Sequence, residues 1–254
     1  MKRLGLILAL VLGTSAIASF KGYFSAEEKY DPLNAVLQNS LKAKLTKQFV
    51  PLLDGYLVVG NEGASTARDP FVFQIGSYAY AGPGIKLNWN QFALSGDVRF
   101  RKYLIESKDP LVVQPLVDAQ ALFTYEDYWD LPLAANLNGF IEAYSETLFS
   151  SADFGNITHN SLVKIGTELA PIKNTYIAAF VEPSVLVDAI GHYYNNRAEL
   201  RVSGRIRYKP QPAEVELTVS YVLNGYFNIK SFEDNPYPTR NTGVAAKLML
   251  SLRV

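Results

Sequence analysis

The chain has no cysteine, only two histidines and no net formal charge, with 24 basic against 24 acidic residues. The missing thiols exclude disulfides, cysteine-ligated zinc, thiol catalysis and an acylated N-terminal cysteine. Two histidines leave little material for a histidine-rich metal site, and nothing in the sequence asks for a metal or another cofactor. The balanced charge leaves no cationic footprint, so nucleic acid is not an expected partner. Charged residues make up 19% of the chain and hydrophobic ones 48%, which argues against disorder. Its 254 residues suffice for one sizeable domain.

Long apolar runs are also scarce. The one clear run, Leu4–Leu12, follows Lys2 and Arg3 and precedes Ala16-Ile17-Ala18. A basic start, a short apolar stretch and a small-x-small site form the pattern of a secretory signal peptide, here residues 1–18. Gly13, Thr14 and Ser15 interrupt the run well short of the roughly 20 residues that span a bilayer. Any membrane residence must then be by strands.

What the chain has in abundance is alternation. Phe92, Leu94, Val98 and Phe100 oppose Ser95, Asp97, Arg99 and Arg101. Leu200, Val202, Ile206 and Tyr208 oppose Arg201, Ser203, Arg205 and Arg207, and Val215, Leu217 and Val219 oppose Glu214, Glu216 and Thr218. A period of two means strands with one apolar and one polar face. The pattern predicts strands near 71–89, 92–104, 111–125, 133–147, 161–170, 175–189, 197–209, 213–225 and 243–254. A further one at 41–49 completes about ten (8–12). Residues 32–49 fit a helix begun by Asp31-Pro32 as well as a strand.

The strands are too long for a soluble sheet, where about 5–6 residues is usual, and match the 9–11 or more of a tilted membrane strand. Longer connections follow odd-numbered strands and shorter ones even-numbered strands. Trp89, Phe92, Phe123, Tyr125 and Tyr208 gather near the short turns, and Phe71, Phe73, Phe100 and Tyr221 near the other end. A two-residue turn at Asn90-Gln91 sets Trp89 beside Phe92, Arg99 beside Gly82 and Asp97 beside Gly84. A turn around Lys209–Pro212 sets Arg207 opposite Glu214 and Arg205 opposite Glu216, pairing opposite charges across the ladder.

With these features, residues 41–254 resemble a small Gram-negative outer-membrane β-barrel protein: an all-β, antiparallel transmembrane barrel. The resemblance implies outer-membrane lipid and the barrel-assembly machinery as partners, both termini in the periplasm, and residues 19–40 as an N-terminal periplasmic segment. One departure is the last residue, Val254, where such barrels usually carry an aromatic. A soluble periplasmic ligand-binding barrel is the alternative; it needs the aliphatic faces turned inward.

In a membrane barrel the lumen receives Asp97, Arg99, Arg101, Arg201, Arg205, Arg207, Glu214 and Glu216. Such a wall either closes on its own ion pairs or lines a hydrated passage. The first reading of function is therefore a non-enzymatic narrow channel or a transport or export component, its solute or surface ligand unspecified by the sequence.

The enzyme alternative rests on His159-Asn160-Ser161. A histidine base beside a serine nucleophile suits acyl transfer when a third group orients the histidine. The spacing is similar to the His-x-Ser of outer-membrane phospholipases and lipid A deacylases, which implies a lipid-face acyl hydrolase. The outward positions expected on adjacent strands, Ile141, Ala143, Ser145, Val185 and Val187, offer no carboxylate or asparagine as orienter. The ten-stranded outer-membrane protease family does not fit, for there is no Asp-x-His and no Asp-x-Asp. The segment 226–242, rich in aromatic and charged residues, is a candidate surface-ligand loop.

Overall fold

The computed structural model describes residues 20–31, 36–66, 75–103, 116–133, 136–151, 156–189, 196–226 and 240–254. Twelve antiparallel strands form a closed barrel in which each strand pairs with its sequence neighbours. They are β1 (Phe20–Asp31), β2 (Val36–Val50), β3 (Leu53–Thr66), β4 (Ile75–Trp89), β5 (Phe92–Tyr103), β6 (Leu116–Asp130), β7 (Leu137–Ser150), β8 (Asn156–Ile172), β9 (Thr175–Asp188), β10 (Arg197–Tyr208), β11 (Ala213–Tyr226) and β12 (Arg240–Arg253).

The seam joins β1 to β12, where Tyr23 faces Arg253 and Lys29 faces Lys247. Gly22 and Val254 exchange backbone hydrogen bonds of 2.7 and 2.9 Å, so the last residue is fixed by the first strand. Twelve strands is the upper end of the predicted range of about ten (8–12), and the predicted barrel start at residue 41 is corrected to β1. β1 lies where a periplasmic segment was expected, and β3 where a long loop was. Each breaks the binary pattern. In β1 Glu28 sits on the outward, otherwise apolar row. In β3 the buried Tyr56 and Val58 are apolar on the inner face while Leu57 and Val59 are apolar on the outer one. Val36–Val50 is a strand, which removes the helical reading there. The signal-peptide residues 1–18, Phe71 and Phe73 lie outside the described residues.

Tight connections join even strands to the next odd ones: residues 51–52, 90–91, 131–136, 173–174 and 209–212. Asn90, Asn136 and Asn174 take positive φ of 52°, 62° and 62° in three of them. Asparagine tolerates that region because its side chain bonds locally. Phe20 and Val254 lie at this same end. The opposite end carries longer connections, among them residues 104–115 and 227–239.

Alternation holds around the circumference. Leu94, Val98, Phe100, Val202, Ile206, Leu217, Val219 and Leu250 face outward and are exposed, whereas Ser95, Asp97, Arg99, Ser203, Arg205, Glu216 and Thr218 face inward and are buried. This polarity, charged inside and aliphatic outside, excludes the soluble barrel with its inward aliphatic core. Trp89, Phe92, Trp129 and Tyr208 cluster toward the tight-turn end, with Phe100, Phe149 and Tyr221 toward the other.

Candidate functional site

The structure places Asp97, Arg99, Arg101, Arg201, Arg205, Arg207 and Glu216 on the inner wall, all buried except the half-buried Arg201. Glu214 shares that wall at the tight-turn end, where it pairs with Lys209 at 3.7 Å. Burial, and then the neighbouring Arg207 charge, hold the Lys209 ammonium below its ordinary value.

The β4–β5 register follows the Asn90-Gln91 turn: Trp89 pairs with Phe92 and Gly84 with Asp97. The space over Gly84 is taken by the Tyr56 ring, whose hydroxyl donates to Asp97 at 2.8 Å. The β10–β11 register differs by two residues from the predicted one, with Arg207 opposite Glu216 and Arg205 opposite Thr218. Its tight turn closes from Pro210 to Ala213, whose N–H donates to the Pro210 carbonyl at 2.7 Å. Ala213 and Glu214 then pair with β12 rather than with β10. A shift of two keeps every side chain on its face, so the charges remain inside but find other partners.

Those partners come from strands further round the barrel. Arg205 donates to Glu142 of β7 at 3.1 Å and to Glu168 of β8 at 3.3 Å, and Arg207 donates to the same Glu168. The Arg205 guanidinium also lies over the Phe140 and Phe180 rings, at 5.1 and 5.3 Å. The β2–β7 side is filled differently. Lys44 sits over the Tyr56 ring at 3.3 Å, Arg99 over Tyr80 at 4.9 Å, Tyr78 donates to Glu62 at 2.6 Å, and Arg101 pairs with Asp118 at 3.1 Å.

A cavity of about 230 Å³ lies against the remaining arc, β8 to β12 and β1. Its wall carries an alternating row of charges. Lys164 meets Glu182 at 3.9 Å, Glu182 meets Arg201 at 3.7 Å, Arg201 meets Glu199 at 2.6 Å, and Glu199 meets Arg197 at 2.7 Å. Lys247 and Glu27, 3.2 Å apart, line the same cavity from β12 and β1.

A second polar group sits on the outer wall. His159 and Ser161 of β8 pair with Thr147 and Ser145 of β7. Thr147 Oγ1 lies 2.9 Å from His159 Nδ1, His159 Nε2 lies 2.8 Å from Ser161 Oγ, and Ser161 Oγ lies 3.1 Å from Ser145 Oγ. The orienter's place beside Nδ1 is held by the hydroxyl of Thr147, a group outside the carboxylates and asparagines sought there. The sequence hides this pairing because 148–160, which contains His159, reads as a loop, whereas the β7–β8 ladder runs on to Ser150 and Asn156. The continuing outward row Phe149, Ile157, His159 is the signal that could have revealed it. The candidate ligand segment 226–242 falls largely on 227–239, outside the described residues.

The sequence matches no protein-family model and no curated protein. Solved structures share its fold. The β domain of the Bordetella autotransporter BrkA is similar with a TM-score of 0.52 at 10% identity, covering 92% of this chain and 98% of that one. An outer membrane channel from Pseudomonas putida F1 is similar with a TM-score of 0.50 at 7% identity, covering 93% and 95%. The likeness is one of fold: a closed transmembrane β-barrel of the Gram-negative outer-membrane class.

Proposed function

We propose that this barrel is a narrow, charge-lined passage across the outer membrane, with both termini in the periplasm and the longer connections outside. The observation that carries it is the placement of the cavity. One side of the lumen is packed with aromatic and guanidinium groups, and a cavity opens against the wall of alternating charges on β8–β10. Twelve strands lie between the roughly eight whose interior side chains fill and the 16–18 of wide aqueous pores. The seam at Gly22–Val254 ends the barrel on a strand with its alternation intact, and the barrel-assembly machinery is its expected partner during insertion.

Single-channel recording of the refolded protein in a planar bilayer tests the passage. Reproducible small conductance steps support it. A folded, detergent-dependent barrel that stays silent overturns it.

The outer-wall group favours a second reading, an acyl-ester hydrolase acting on lipid. Polar side chains facing lipid are costly and mark function more often than they serve stability. The group lies about 10 Å from the β8 end that carries the longer connection, three residues at roughly 3.4 Å each. Ser161 Oγ would attack an ester carbonyl and pass its proton to His159 Nε2. His159 would return that proton to the departing alcohol, and water would then release the acid from Ser161. Thr147 Oγ1, accepting from Nδ1–H, would hold the tautomer that leaves Nε2 free to act as base. Hydrolysis of a detergent-solubilised acyl ester, abolished in both Ser161→Ala and His159→Ala, supports this reading. Activity unchanged by either substitution removes it.

A further inference from the structure

We infer that the lumenal cavity selects zwitterionic solutes, compounds carrying one ammonium and one carboxylate at the size of a single amino acid. The inference rests on the passage reading and goes beyond it by naming the solute class.

Size comes first. At about 30 Å³ per water, the cavity of about 230 Å³ holds roughly seven waters. That is the bulk of an amino acid, well under the 300–1,000 Å³ of pockets for drug-sized ligands. Charge then discriminates among solutes of that size. Lys164, Arg197, Arg201 and Lys247 each already have a carboxylate partner. A simple anion drawn to Arg201 competes with Glu199 and Glu182 for its guanidinium and leaves each of them a single cation, Arg197 or Lys164. A simple cation creates the same defect in reverse. Breaking one half of a buried pair is far more costly than exchanging both halves. A zwitterion brings one charge of each sign and so adds no net charge to a wall whose own charges are paired.

The weakest link in the row shows where the ammonium goes. Glu182 is buried, with 9% of its surface exposed, yet it reaches Arg201 and Lys164 only at 3.7 and 3.9 Å. Both distances exceed hydrogen-bond length. Arg201 by contrast donates twice to Glu199, at 3.0 and 2.6 Å. Glu182 is therefore the carboxylate with unused accepting capacity facing the cavity. The Lys247–Glu27 pair is the most solvated of the ion pairs lining it, each side chain about one-third exposed. It offers the solute's carboxylate a cation at the least desolvation cost.

Swelling of proteoliposomes in isosmotic L-alanine, sodium lactate and erythritol tests this at neutral pH. Alanine and lactate share their size and carboxylate and differ in the ammonium. Alanine should enter about tenfold faster than lactate, a factor corresponding to about 1.4 kcal/mol. Glu182→Gln should abolish that preference, and Glu28→Gln, on the outward row of β1, should retain it. If Glu182→Gln lacks the heat-modifiable mobility of the folded barrel, Lys247→Met is measured instead, with the same loss expected. Equal entry of all three solutes, or a preference that survives these cavity substitutions, overturns the inference while the passage stands. No entry of any solute overturns the passage reading itself.

Discussion

The lumen and the outer wall both hold connected polar groups, and they are built on opposite terms. Inside, full charges are buried beside full counter-charges: Arg205 against Glu142 and Glu168, Arg201 against Glu199. Outside, Thr147, His159, Ser161 and Ser145 form a short hydrogen-bonded chain with no carboxylate in it, flanked by apolar side chains such as Val185 and Val187. The lumenal network accounts for itself, since each charge compensates another and together they fill space. Nothing structural requires the outer chain, because valine at the same positions would suit lipid better. A cluster that the fold does not need is the stronger pointer to chemistry. A cluster that the fold does need must be tested for what it leaves open.

The largest effect should come from breaking the inner network at its most shared member. Arg205 is the common partner of two glutamates, and its side chain is 3% exposed. Arg205→Ala leaves Glu142 with Lys164 and Glu168 with Arg207, two carboxylates whose three arginine contacts have become one. Removing one side of a buried ionic group costs about 3–5 kcal/mol. Guanidinium-induced unfolding in phospholipid vesicles should register that loss. Arg205→Met, which keeps the stem over Phe140 and Phe180, should recover only the packing share.

The packed arc between β2 and β7 should respond to bulk rather than charge. A Cβ at Gly82 would overlap the carbonyl oxygen of Val98, and one at Gly84 would strike the Tyr56 ring. Gly82→Ala meets backbone that cannot rotate away, so about 2 kcal/mol of stability should be lost by the same unfolding measurement. Gly204, where a Cβ meets nothing within 4 Å, is the control: Gly204→Ala should leave stability unchanged or raised.

These contrasts also explain what the sequence made legible. The faces were legible because lipid and lumen impose opposite polarity on alternate residues, and a register error of two preserves that assignment. The β4–β5 register was legible because Asn90-Gln91 leaves a turn only one geometry. At Lys209–Pro212 the turn is wider and its register was misread, although Arg207 still faces a glutamate. β1 and β3 were hidden because Glu28 is charged on the outside and Tyr56 and Val58 are apolar within. The lumenal residues of the candidate site followed from parity alone. Parity also puts Glu142 and Glu168 inside, but their pairing with Arg205 was not legible, since they reach it from three and two strands away. The Thr147–His159 pairing was hidden for a local reason: the next strand was set to begin at 161 rather than Asn156, which left His159 in a loop.

The tight turns should give a smaller effect. Asn174 at φ 62° joins β8 to β9. Asn174→Ala puts a side chain without local hydrogen bonding into the left-handed region and should cost about 1 kcal/mol. Asn174→Gly should be neutral or better. Equal losses in both would mean that the asparagine side chain, and not its backbone tolerance, holds the turn.

The smallest effect on stability separates the two polar clusters most cleanly. Thr147→Val replaces the hydroxyl by a methyl group of similar size at an outward position 2.9 Å from His159 Nδ1. One hydrogen bond is lost, and a polar group facing lipid is removed with it. Hydrogen bonds between membrane segments average about 0.6 kcal/mol, so unfolding should shift by no more than about that amount in either direction. If the outer chain is a hydrolase, the same substitution frees the imidazole to turn and to take the wrong tautomer. Ester hydrolysis should then fall at least about tenfold while the fold is untouched, and Thr147→Ser should restore it. A loss of stability comparable to that of Arg205→Ala would put the outer chain in the same class as the lumenal one, structural polarity that happens to face lipid. Unchanged stability with unchanged hydrolysis would remove Thr147 as the orienter and leave the outer wall's role to be decided by Ser161→Ala and His159→Ala.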